Sequence, residues 1–157
     1  AELAPGRGGG LGIGALAPRE RFECGRGAWV AAVVLEDLEL QPRHCIRQPA
    51  TQRGPLRVSF SDVPLGQRLV FYGGLYYEDE RMRHGADVHA RVLAVASGAT
   101  RELLHMTHRD GDGWKRIEVS TGGGRAQVMV EVSSRDASKR TFCWAASTRS
   151  DALEAER

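Results

Sequence analysis

The sequence predicts an all-β fold, an antiparallel β-sandwich of jelly-roll (galactose-binding-like) type with about eight strands. Short apolar segments recur with turn signals every ~8–12 residues, which is the spacing of a sandwich or barrel. Several of them alternate apolar and polar residues with the period of two that a half-buried strand requires, as in residues 126–133 (AQVMVEVS). No stretch reads as a clear helix. A chain of 157 residues suits one domain with one core. Three parts are expected: a flexible linker at 1–19, the sandwich at 20–147 and a polar tail at 148–157.

Residues 1–19 carry Gly6, Gly8, Gly9, Gly10, Gly12 and Gly14 with two prolines, too few large side chains to offset the entropy of ordering them. The GGGLGIG run is not a phosphate loop, because no strand precedes it and no Gly-Lys-Ser/Thr follows. A linker here implies tethering to an upstream segment. A start at Ala1 without a signal-peptide pattern reads as a processed chain or a piece of a longer one.

Residues 21–24 open the first strand. In residues 27–40 (GAWVAAVVLEDLEL), Val30, Val33 and Val34 fit helical spacing, but the β-branched content favours a strand. Residues 41–54 (QPRHCIRQPATQRG) read as a polar loop punctuated by prolines. Residues 55–77 read as a hairpin whose strands are joined at Pro64-Leu65-Gly66. Its first strand alternates, whereas Arg68 to Tyr72 looks apolar on both faces and therefore covered on both. Gly73-Gly74 marks a break that re-aims the chain. Residues 78–85 (EDERMRHG) follow as a charged connection with solvated carboxylates. Strands are then expected at 87–95, 102–106, 114–119, 126–133 and 140–146, separated by turns at Ser97-Gly98, Asp110 to Gly113 and Gly122 to Gly124. Trp114, Trp144, Phe60, Phe71 and Phe142 are expected in the core.

Composition removes several function classes. Basic and acidic residues nearly balance, 22 against 20, and no basic block interleaves with aromatics, so nucleic-acid binding is not expected. No apolar run approaches the ~20 residues of a membrane span. Only two of the basic residues are lysines and asparagine is absent, which reads as codon bias of a GC-rich bacterial genome. Cys24 and Cys45 flank one apolar unit, and a disulfide between them would close a loop worth ~3 kcal/mol. The competing reading is three buried thiols. No cysteine has the short-spaced partner that zinc requires.

By the strands around Trp114 and Trp144 the pattern resembles the galactose-binding-like jelly rolls used as carbohydrate-binding modules (an NPCBM-like pattern), the kind appended to bacterial glycoside hydrolases. The shared features are V-x-L-G-x-x-L-x-F-x-x-G-L from Val63 to Leu75, the valine strand from Val88 to Val95, Gly-Trp-x-x-x-x-Val from Gly113 to Val119, and Phe-Cys-Trp-Ala from Phe142 to Ala145. The resemblance covers roughly residues 55–147. The resemblance implies a non-catalytic module that takes a carbohydrate on loops at one end of the sandwich.

Tyr76, Tyr77, Arg81, Arg83 and His84 are the candidate ligand-binding residues, since sugars are gripped by aromatic faces and hydrogen-bonding side chains. Glu78, Asp79 and Glu80 do not suggest a glycosidase, whose carboxyls stand ~5–10 Å apart across a cleft with one pKa raised. His105, His108, Asp110 and Asp112 are the only dense set of metal-ligand types. Positions 105 and 108 point to opposite faces of a strand, so a solvated hairpin tip competes with a divalent site. No serine has a nucleophile-elbow context. No catalytic set and no cofactor are expected. The reading is a binding module of an exported or envelope-associated bacterial protein, extracytoplasmic, with carbohydrate as its ligand. The alternative is a structural domain contacting another envelope protein.

Overall fold

A computed structural model describes residues 21–24 and 28–150 of the chain. The expected linker and the end of the expected tail lie outside the described residues. Ten strands and one helical turn follow in order: β1 Phe22–Glu23, β2 Trp29–Glu36, β3 Pro42–Pro49, β4 Leu56–Pro64, β5 Arg68–Leu75, α1 Tyr77–Arg81, β6 Val88–Ala96, β7 Ala99–His108, β8 Lys115–Ser120, β9 Arg125–Ser134 and β10 Thr141–Arg149. They form two antiparallel sheets, one of six strands in the order β1-β2-β3-β10-β5-β8 and one of four in the order β4-β9-β6-β7. The fold is a two-sheet β-sandwich, compatible with a jelly roll. Strand β10 takes Thr148 and Arg149 out of the stretch read as a tail.

Alternation decides which side chains meet between the sheets. Val88, Ala90 and Val92 of β6 and Val128, Val130 and Val132 of β9 face Phe71, Leu75, Phe142 and Trp144 of the larger sheet. Trp144 stacks on Phe71 with ring centroids 5.7 Å apart. The ambiguous segment around Val30 is strand, as its β-branched residues favour.

The expected hairpin is not one. Strands β4 and β5 belong to different sheets, β4 pairing with β9 and β5 with β10 and β8. The β4–β9 register shifts between Phe60 and Val63, and Asp62 adopts a positive φ of 53°. This bulge bends the strand end, and Leu65 then buries itself, so the Pro64-Leu65-Gly66 turn crosses between sheets rather than folding back. Gly66, at φ +60°, lies against the Arg149 carbonyl where a Cβ would collide.

The polar stretch around Cys45 is β3, a central strand between β2 and β10. Arg43, Arg47 and Gln48 each have a partner, and His44 is exposed. Arg47 lies 3.7 Å over the Trp29 ring, and Arg43 pairs with the buried Asp37 at 2.6 Å. Gln48 is fully buried and joins the sheets. Its Nε2 donates to the Leu56 and Val130 carbonyls at 2.9 and 3.0 Å, and its Oε1 accepts the Trp144 indole N–H at 2.8 Å. With Arg43, Arg47 and Gln48 each held by a partner, the strand shows no apolar alternation.

The expected Cys24–Cys45 disulfide does not form; Cys45 is bonded to Cys143, with Cα atoms 5.6 Å apart, and Cys24 is free. Cys45 and Cys143 project from the outer face of the larger sheet, on adjacent strands. Cys24 instead packs against the inter-sheet core. The two faces of one sheet cannot be bridged. Trp114 joins Cys45 and Cys143 on that outer face, half-buried, rather than entering the core. Phe60, also expected inside, is 37% exposed and meets Trp144 edge-on.

Gly73-Gly74 does not break β5, whose ladders to β10 and β8 run through Gly73. The glycines permit close packing. A Cβ on Gly73 would lie 2.6 Å from Phe142 Cζ, and one on Gly74 2.9 Å from Trp114 Cε3.

Candidate functional site

The sandwich has two ends with opposite characters. At the Leu75 end of β5 the chain enters α1, a single turn carrying Glu78, Asp79 and Glu80 near its start, where acidic side chains complement the helix dipole. Only Glu78 is solvated. Asp79 and Glu80 are buried, which corrects the expectation of three exposed carboxylates. Asp79 Oδ2 accepts the Thr141 N–H at 2.8 Å. Glu80 Oε1 accepts the N–H groups of Gly111 and Gly113 at 3.1 and 2.7 Å. Both glycines have positive φ, which turns their amides toward one acceptor.

His108, the last residue of β7, lies beneath this turn. Its Nε2 accepts the Leu75 N–H at 3.2 Å, which puts the ring proton on Nδ1 and leaves the imidazole neutral. Burial drives its pKa down to about 4, although Asp112 pulls the other way. Burial raises the pKa of Glu80 against the two glycine amides. Asp110 pairs with the buried Arg140 and accepts the Gly85 N–H at 2.9 Å. Among the described residues Glu80 Oε2, His108 Nδ1 and Arg140 Nε have no hydrogen-bond partner. A neutral imidazole and a carboxyl of raised pKa 3.6 Å apart would suit acid–base chemistry, but both side chains are completely shielded. No substrate reaches them, and their bonds hold backbone in place.

The five candidate ligand residues sit at this same end. Tyr76 and Tyr77 pack edge-to-face with centroids 4.8 Å apart. Tyr76 leans on the outer cluster around the disulfide, and burial, Tyr77 and Glu78 push its pKa up to about 12. Tyr77 Oη donates to Glu78 at 3.1 Å. Arg81, Arg83 and His84 are exposed on the exit from α1. The metal-type set is divided. His105 faces outward, His108 is buried, Asp110 is held by Arg140, and Asp112 by Lys115 at 2.7 Å. Among the described residues no three His, Cys, Asp or Glu side chains converge on a metal position.

The other end is open. Between the sheets lies a cavity of about 700 Å³, walled on one side by Phe60, Val63, Val92, Leu103, Val128 and Val130 and on the other by Ile46, Leu69, Trp144 and the small Ala32 and Ala146. The bulge that bends β4 draws Phe60 to its mouth. His44, Ser147 and Thr148 provide polar side chains, and no Asp, Glu, Lys or Arg lines it. None of the five candidate ligand residues reaches it. Sequence reading missed this site because its walls are ordinary core residues. The one available signal was the small alanine in Trp144-Ala145-Ala146 where a large inward side chain would have closed the core.

Among the described residues no helix is long and apolar enough to cross a membrane. No protein-family model, curated protein or solved structure matches the chain.

Proposed function

We propose that the chain is a non-catalytic binding module whose ligand is an aliphatic molecule held between its two sheets. The observation that carries this reading is the open apolar cavity of about 700 Å³. Small-molecule sites are concave, mostly apolar, furnished with a few polar groups and ~300–1,000 Å³ in size. Its aliphatic lining favours a hydrocarbon chain over a sugar, which needs hydrogen-bonding groups along the ligand and a free aromatic face. Trp144 offers none, being stacked on Phe71. The Cys45–Cys143 bond supports an extracytoplasmic setting, where disulfides persist.

Titration of the full chain with a fluorescent long-chain fatty acid tests the reading. Saturable one-to-one enhancement is expected, abolished by Ala146→Trp, which fills the cavity, and unaffected by competing sugars. An undiminished signal in Ala146→Trp sinks the proposal. Glycan binding that survives Ala146→Trp but disappears in Tyr77→Ala/Arg81→Ala would instead favour a carbohydrate module reading its ligand at the α1 end.

A further inference from the structure

On the open face of the four-stranded sheet, β6 and β7 pair with His89 opposite Thr107 and Arg91 opposite His105. That register sets His89 and His105 diagonally on one face, within reach across the strand pair. His89 Nδ1 and His105 Nε2 are 3.3 Å apart, with ring centroids at 5.5 Å and planes tilted by 47°. The Thr107 hydroxyl lies 3.2 Å from the same His89 Nδ1. We propose that His89 and His105 form a two-imidazole site for a divalent transition-metal ion of the zinc, nickel or copper type.

The spacing is the first support. Imidazole nitrogens bind zinc at ~2.0–2.1 Å, and two such ligands subtending a tetrahedral angle stand ~3.3–3.4 Å apart. The observed separation matches that edge. Chemistry is the second. Two neutral imidazoles facing each other share a single proton between two lone pairs, whereas a metal ion satisfies both. His105 then carries its proton on Nδ1. Imidazole donors select zinc, copper and nickel over the oxygen-seeking magnesium and calcium.

The surrounding charge is balanced. Arg91, next to His105 on the same face, is held by Glu102 at 2.6 Å and Glu131 at 3.2 Å, and Glu131 also holds Arg57. Two arginines and two carboxylates cancel, leaving no free cation among these four to repel the metal. Rigid neighbouring strands fix the two Cβ positions, while His105 is exposed and its ring is able to turn toward a shared ion. The remaining coordination positions face solvent and would hold water.

The full chain is titrated with copper(II) or zinc alone, with stoichiometry from calorimetry and ligand identity from the copper electron paramagnetic resonance spectrum. One ion per chain is expected, with hyperfine structure from two nitrogens. His89→Gln and His105→Gln should each lower affinity at least roughly tenfold, the minimum cost of losing even a ligand's hydrogen-bond partner. Thr107→Val and the His44→Gln/His84→Gln double variant should retain it. All these positions are at least partly exposed, so unchanged melting without metal verifies the variants. No binding by the native chain up to millimolar metal, or binding lost in His44→Gln/His84→Gln but kept in His89→Gln, would overturn the proposal.

Discussion

The same strands end in two different ways. At the α1 end, β5 packs Gly73 and Leu75 against Phe142 and His108, so closely that a Cβ on Gly73 has no room. At the opposite end β5 contributes Leu69 to a cavity left open by Ala32 and Ala146. The closed end buries charge, with Glu80, Arg140 and Asp110 under a turn, and satisfies it mainly with backbone amides and one ion pair. The open end has hardly any charge and no filling. Stability is invested where polar groups are sealed, and binding capacity lies where core volume is missing.

The largest expected effect lies at the closed end. His108→Ala removes a fully buried ring and strands the Leu75 N–H, at a cost of about 4 kcal/mol in chemical denaturation. A loss under about 1 kcal/mol would mean that the end is not sealed.

Acid comes next. Unfolded chain protonates His108 near pH 6.5, whereas the folded protein resists until about 4. Stability present above pH 6.5 therefore drains as pH falls toward 4, by about 3 kcal/mol from this residue. Glu80 acts with the opposite sign. Its raised folded pKa contributes stability that is complete below its unfolded pKa and lost as pH rises through the folded value. Comparing native and His108→Phe unfolding across pH 4 to 7 separates them. The variant should lose the acid-side decline, and an unchanged slope would refute the neutral buried ring.

A matched pair of smaller substitutions contrasts the ends directly. Gly73→Ala drives a methyl to within 2.6 Å of Phe142 and should cost about 2 kcal/mol. Ala146→Leu, at the open end, places more carbon in empty space and should change stability by less than about 1 kcal/mol. Equal costs at both positions would erase the distinction between a filled and an open end.

Much of the fold was legible because alternation is local. Val128, Val130 and Val132 declare a strand wherever they are, and Arg68 to Tyr72 announced its double cover, since Leu69, Val70 and Phe71 are all buried. Strand β3 was illegible for the converse reason. Its Arg43, Arg47 and Gln48 look like loop residues until Asp37, Trp29 and Trp144 are placed beside them. Glu80 looked solvated beside Glu78 because nothing local says that the amides of Gly111 and Gly113 arrive overhead. His89 attracted no notice, as its partner stands sixteen residues away across a hairpin.

By itself the sequence determined the class: an antiparallel sandwich, from strand periodicity and turn residues that depend only on near neighbours. Only the tertiary structure decided which strands pair, that the Pro64-Leu65-Gly66 turn joins two sheets, that Cys45 meets Cys143 rather than Cys24, and that an apolar cavity stays open beside Ala32 and Ala146. Pairing, face and empty volume are relations between segments distant along the chain, and a period-two pattern carries no information about which distant segment it will meet.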